Sequence, residues 1–451
     1  MGSAIHWGHA RTSDLIHWEN LPIAIEPYDE GQIFSGCCVL DKDNVTNFAP
    51  NSTEDHTDIP MVALFSLVDG DKQSQGMAYS FDNGTTWKQY HANPVIDNPG
   101  ITDFRDPNVF EHEGEHYMTL AVKDRVSFYK SKDFKNWEWV GDFGIDPEEG
   151  DTSGVWECPA LVTLKDDQNN QHDVLLVSEN GEAKGSLFQY FIGKFNGSRF
   201  NSYNTSKMYW AEDAIDNYAA VPYHNDPLGR VILIGWMSNW LYADKIPTST
   251  WRGQYTIPRE LGIKFVGGDL YLTQRPVEEL NKQISQTWSM PAPFNINANQ
   301  INLTEQIPFK TGSMLKLEYA IDIANLTTGK CGLQFSNNRG EFVSFAFDVE
   351  KNVYEFNRMH SGNVSFHERF ANKVMTSDRV STSDTLFGTI VLDVASIEIF
   401  ADDGVNLITA IFFPTEVFEN IELISTNNDA SGQSPRVQSL SVSSLKSIWS
   451  N

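Results

Sequence analysis

Cysteine is scarce in this 451-residue chain. The four present, Cys37, Cys38, Cys158 and Cys331, show none of the C-x-x-C spacings of zinc or redox sites and imply no disulfide framework. Positive charge is short as well. Lys and Arg number 33 against 60 Asp and Glu, a formal net charge of -27, which disfavours nucleic acid and anionic membrane surfaces as partners and favours a neutral polar ligand. No apolar run is long enough to span a membrane, and residues 1 to 25 lack the basic-then-apolar order of a signal peptide. Long helical periodicity is missing from the first half of the chain.

Aromatics, by contrast, are plentiful: 12% of residues, with 12 Trp and 28 Phe, a composition suited to β structure and to stacking against the apolar faces of sugar rings. Short apolar runs such as Met61 to Leu67, His116 to Val122, Val174 to Ser178 and Val231 to Trp236 have strand length. One turn recurs between them: Ser13-Asp14-Leu15-Ile16-His17-Trp18, Ser80-Phe81-Asp82-Asn83-Gly84-Thr85-Thr86-Trp87 and Ser131-Lys132-Asp133-Phe134-Lys135-Asn136-Trp137. In each, an Asp or Ser can bond backbone groups while the Trp opens the next strand. Such repeats indicate a β-propeller. The pattern changes near Gln274 to Asn281, and beyond about residue 295 it becomes the alternating strands of a two-sheet sandwich. The expected division is a propeller at 1–275, a linker at 276–295 and a β-sandwich at 296–451, all-β throughout.

Two carboxylates stand in unusual company. In Phe104-Arg105-Asp106-Pro107-Asn108-Val109-Phe110 a cation and an acid lie inside an apolar run, which predicts a polar pocket within a β fold. Pro107 is expected to bias Asp106 towards an extended backbone. In Val155-Trp156-Glu157-Cys158-Pro159-Ala160-Leu161 the apolar neighbours predict a desolvated Glu157 that can hold a proton and donate it, as a glycosidase acid must.

His6-Trp7-Gly8-His9-Ala10, Phe34-Ser35-Gly36, Phe104-Arg105-Asp106-Pro107 and Trp156-Glu157-Cys158-Pro159, in this order and at these separations, resemble glycoside hydrolase family 32, above all the yeast-type β-fructofuranosidases, the invertases and exo-inulinases. The likeness extends through Gly235-Trp236-Met237-Ser238-Asn239-Trp240 and Trp251-Arg252-Gly253 and thins in the sandwich. It implies a five-bladed propeller followed by the sandwich, and retaining hydrolysis of terminal β-D-fructosyl units of sucrose or fructans. By the same resemblance Glu157 is the acid/base and Asp106 the transition-state stabiliser. Phe34, Ser35, Arg105, Asp106, Tyr218 and Trp240 then bind the fructosyl unit. No metal or organic cofactor is called for. The partner is sucrose or a fructo-oligosaccharide, family members often dimerise through the sandwich, and the setting is secreted or cell-wall/periplasmic. Eight Asn-x-Ser/Thr sequons, at Asn44, Asn51, Asn83, Asn196, Asn204, Asn302, Asn325 and Asn363, would be glycoprotein acceptor sites in that setting.

The sequence departs from the family at one place. The family nucleophile is an Asp in a Trp-Met-Asn-Asp-Pro-Asn-Gly type motif upstream of the strand that holds Trp7-Gly8-His9-Ala10, and no such motif occurs here. The expectation is a nucleophile Asp absent from the chain, an incomplete first blade and impaired turnover. Asp14, Asp29 and Asp216 lack the motif's context. The alternative is a non-catalytic, fructoside-binding propeller-sandwich protein.

Overall fold

A computed structural model describes the chain apart from residues 1–4, 28–30, 50–58, 182–184, 224, 313, 427–432 and 450–451. Asp29 and the sequon at Asn51 lie outside the described residues. The sheets are antiparallel, and in the N-terminal part their strands pair in chain order. A two-stranded ribbon, Trp7–Thr12 with Trp18–Ile25, comes first. Three four-stranded sheets follow, opening on Gln32–Leu40, Phe104–His112 and Val155–Lys165. A five-stranded sheet opening on Tyr218–Tyr223 and ending on Asp269–Pro276 completes the set. Sheets of neighbouring strands repeated in this way are the blades of a five-bladed propeller, and the first blade has two strands among the described residues.

The recurring turn occupies one place in the repeat. In blades two and three it joins the third strand to the fourth, and in blade one it joins the two strands of the ribbon. Asp14 Oδ1 accepts the N–H groups of Ile16 and His17 at 3.0 and 2.8 Å, Asp82 Oδ1 that of Thr86 at 2.9 Å, and Asp133 Oδ1 those of Lys135 and Asn136 at 2.9 and 2.8 Å. Trp87 and Trp137 donate their indole N–H back to the carbonyls of Gly84 and Phe134, both at 2.8 Å. Blade four has the same device in another residue, since Asn196 Oδ1 accepts Ser198 and Arg199 N–H at 3.1 and 2.9 Å. By this marker the ribbon corresponds to the outer two strands of the blade repeat.

The C-terminal half is a sandwich of a seven-stranded and a six-stranded sheet around Leu317, Leu333, Phe345, Phe356, Ile399 and Val442. Within 276–295, a 3-10 turn at Glu278–Gln283 is followed by Ile284–Ser289 and Phe294–Asn295, which pair with the last strand, Arg436–Leu445. Propeller and sandwich share an apolar seam in which Ile16, Ile232, Val277 and Leu280 meet Val391, Phe400 and Leu407. Beside it Arg259, fully buried, bonds to Glu212 of the propeller and to Glu398 and Thr409 of the sandwich.

Candidate active site

The first strands of blades two to five lie side by side, and each carries a register shift near its beginning. The shifts fall between Ile33 and Gly36, Arg105 and Asn108, Glu157 and Ala160, and Tyr218 and Val221. A bulge re-aims the side chains on either side of it. Here it gathers residues of three blades. Asp106, Cys158 and Ala219 take φ values of 63°, 49° and 50°. The extended backbone expected of Asp106 ahead of Pro107 is therefore corrected to a left-handed one. It is held from both ends: Ser66 Oγ accepts the Asp106 N–H at 2.7 Å, and Asp106 Oδ2 accepts the Cys158 N–H at 2.9 Å. A short polar side chain with local hydrogen bonds tolerates that region best.

Glu157 also differs from its expected apolar setting. Period-two alternation sends Trp156 into the core with Phe143 and Phe191, leaving Glu157 on the opposite face with its side chain 20% exposed. There Arg105 Nη2 donates to Glu157 Oε1 at 3.0 Å, and the Tyr218 hydroxyl donates to Oε2. Arg105 Nη1 is committed to Asp103 and, at 3.3 Å, to Gln73 Oε1. Asp106 and Glu157 thus share one cluster: the residue after Arg105 and the residue before Cys158 are bridged by two polar contacts between neighbouring blades.

The electrostatics follow from burial. Desolvation pushes the Asp106 carboxyl up to about 6; the Cys158 N–H opposes this, and the nearby Glu157 charge adds to it. Burial works against the Arg105 charge, but the carboxylates of Asp103, Glu157 and Asp106 outweigh it and raise its pKa. Burial and then the Glu157 charge hold the Tyr218 phenol far above its usual range, so it stays a donor to Glu157. Burial also raises the Cys158 thiol, whose Sγ lies 3.7 Å from Asp106 Oδ2.

The remaining residues singled out from sequence surround this cluster. The Ser35 carbonyl accepts a 3.2 Å bond from Ser66 Oγ, which places it one hydroxyl away from Asp106, and the Phe34 carbonyl accepts the Trp7 indole N–H at 2.8 Å. Trp240 is 58% exposed, with its ring centroid 4.9 Å from that of Trp236, which in turn lies 6.5 Å edge-on from Tyr218. This leaves an open aromatic wall of the kind that stacks on a sugar ring. Asp14 is spent on its turn and on His17, and Asp216 is fully buried against Arg358 and Tyr242. Asp103, Ser66, Gln73 and Trp236 belong to the cluster and were not singled out as site residues. Asp103 stands in an ordinary polar turn, and Ser66 is one hydroxyl in an apolar run 40 positions from its partner.

Two family models match the chain: the glycosyl hydrolases family 32 N-terminal domain over residues 1–276 and the family 32 C-terminal domain over 280–444. Among known proteins, the levanase of Bacillus subtilis (strain 168) is 35% identical over 460 residues, which cover 99% of this chain and 65% of the levanase. The extracellular exo-inulinase of Aspergillus awamori is 32% identical over 464 residues, covering 94% of this chain and 84% of that protein. The crystal structure of that exo-inulinase superposes with a TM-score of 0.86 at 29% identity, covering 99% of this chain and 91% of the other. A fructofuranosidase from Schwanniomyces occidentalis complexed with fructose gives 0.85 at 26% identity, covering 99% and 90%. With both models matched in order and relatives aligned over nearly its whole length, the chain belongs to glycoside hydrolase family 32.

Proposed function

We propose that this protein is a β-fructofuranosidase-type hydrolase acting with retention on terminal β-D-fructosyl units of sucrose or fructans. In this reading a propeller at 1–275 carries the site, residues 276–295 lead out of it, and 296–451 form the supporting sandwich. One juxtaposition carries the reading: Asp106 and Glu157 are linked at the bulged starts of adjacent inner strands through Cys158 and Arg105, and Tyr218, bonded to Glu157, leads by way of Trp236 to the exposed Trp240. Glu157 delivers a proton to the leaving glycosidic oxygen and later takes one from water. Arg105 and Tyr218 fix its two oxygens. Asp106 holds fructose hydroxyls and opposes the positive charge that develops on the ring. Phe34, Ser35 and Trp240 shape the pocket around the sugar.

Retention further requires a nucleophilic carboxylate, and the 451 residues contain no Asn-Asp-Pro-Asn sequence to supply it. Their turnover is therefore proposed to be impaired, with fructosyl binding retained. The second reading, a fructoside-binding protein without catalysis, shares the same pocket. Titration calorimetry with fructose tests the shared part: the chain binds with a Kd on the order of 1 to 10 mM, the weak range of a small ligand with few contacts. Asp106→Ala removes the binding. Affinity unchanged by Asp106→Ala would overturn the placement of the sugar. The extracellular exo-inulinase relative supports a secreted or cell-wall/periplasmic setting, and a homodimer through the sandwich is proposed on family likeness alone.

A further inference from the structure

The stretch from Glu212 to Tyr218 is acidic, belongs to the propeller and is gripped by the sandwich. Glu212 bonds to Arg259, which also bonds to Glu398. Ala214 and Ile215 pack against the sandwich core. Asp216 Oδ2 accepts from Arg358 Nη1 and, at 3.0 Å, from the Ile411 N–H, both in the sandwich. Its Oδ1 accepts from the Tyr242 hydroxyl, which itself accepts from Arg358 Nη2 at 3.0 Å. Arg358 is 1% exposed and spends its other donors on the carbonyls of Phe370 and Ile411, each at 3.0 Å, with its guanidinium 4.0 Å above the Phe370 ring centroid.

Buried ion pairs contribute little net stability, because desolvating both partners offsets most of their attraction. What a planar guanidinium supplies instead is direction. The two groups it fixes are informative. Asp216 stands two residues before Tyr218, the donor to Glu157, and Tyr242 stands two residues after the exposed Trp240. Asn239 ties the two arms together by donating to the Ile215 carbonyl at 2.6 Å.

We infer that Arg358 is a positioning residue of the fructosyl site: through Asp216 and Tyr242 the sandwich sets where Tyr218 and Trp240 stand relative to Glu157. The inference rests on the proposed reading of that site. It assigns the C-terminal domain a part in substrate recognition without any contact to substrate.

The test measures fructose affinity by calorimetry, together with thermal midpoints, for the parent chain, Arg358→Met, Arg358→Lys, Tyr218→Phe and the Arg358→Met/Tyr218→Phe pair. Arg358→Met is expected to weaken binding about tenfold or more, and Arg358→Lys to recover part of the loss by keeping charge without the fork. Because Arg358 acts through Tyr218, the double variant is expected to lose about threefold less than the product of the single losses. A folded Arg358→Met protein whose midpoint falls while its affinity stays within about twofold of the parent would overturn the inference, as would losses that simply multiply. If Arg358→Met does not fold, Arg358→Lys is judged by the same twofold criterion. A parent that fails to bind fructose overturns the site reading and the inference with it, and is told apart because no variant is needed to see it.

Discussion

Asp106 carries a conflict between burial and charge. Burial, the main cause, pushes its carboxyl up to about 6 in the folded protein from an ordinary 3.8. Stability present below about pH 4 is therefore lost as pH rises through 6, by about 2 to 3 kcal/mol. Asp106→Asn, neutral and nearly isosteric, removes that loss. It should raise the thermal midpoint at pH 7 and change it little at pH 4, while fructose affinity falls. Equal midpoint shifts at both pH values would show that Asp106 is not strained by burial. Glu157→Gln has a different signature: in protein supplied with a nucleophile segment, sucrose turnover drops on the order of 10² to 10⁴ while binding largely persists. Turnover within about twofold of the parent would exclude Glu157 as the acid. Both residues were legible because a charge amid Phe104, Val109, Trp156 and Leu161 is out of place. Arg105 and Tyr218 were legible by family resemblance as residues of the same pocket, but their bonds to Glu157, and that of Ser66 to Asp106, were not. Nothing local marks Ser66 or Tyr218 as neighbours of residues 40 and 61 positions away.

Among the elements, the inner-strand bulges do the aiming. Blade two makes the point through Gly36, which sits where the register shifts against Met61–Asp69. A Cβ there would run into the Leu64 carbonyl oxygen and come within 2.7 Å of Phe65 Cα, so backbone rather than a movable side chain blocks it. Gly36→Ala is expected to destabilise by about 2 kcal/mol or more. It should also weaken fructose binding, because Phe34 and Ser35 precede the bulge. A denaturant midpoint unchanged within error would refute the close packing. The Asp turns are legible from their spacing, which marks the blade repeat without any strand pairing. The equivalent turn at Asn196 is not legible from that spacing, because Phe200 stands where the other turns carry Trp. The left-handed backbone at Asp106 is not legible either: local steric preference points to extended structure, and only bonds from Ser66 and Cys158 override it.

For the whole molecule, propeller and sandwich are joined by buried charge as well as by the apolar seam. Arg259 neutralises Glu212 and Glu398 from opposite domains, and burial raises the Glu398 carboxyl although Arg259 opposes the shift. Arg259→Met strands both acids and should cost about 3 to 5 kcal/mol, whereas adding Glu212→Gln and Glu398→Gln should recover most of it. A triple variant no more stable than Arg259→Met alone would mean that the guanidinium matters for packing rather than charge. The two-domain order was visible in the change from Asp-turn repeats to alternating strands. This coupling was not, since residues 259 and 398 meet only when both domains are folded.

The most direct test of the fructosidase reading is glucose release from sucrose, run beside a thermal melt on three proteins. The first is the 451-residue chain, the second the same chain preceded by a Trp-Met-Asn-Asp-Pro-Asn-Gly type segment, and the third that fusion with Asn in place of the segment's Asp. The expected result is negligible release by the first, robust release by the second, and release near background by the third despite a melt matching the second. Robust glucose release by the unmodified chain, or none by the second protein although it melts cooperatively, would contradict the assignment of Glu157 and Asp106 as a fructosyl site completed by a separate nucleophile.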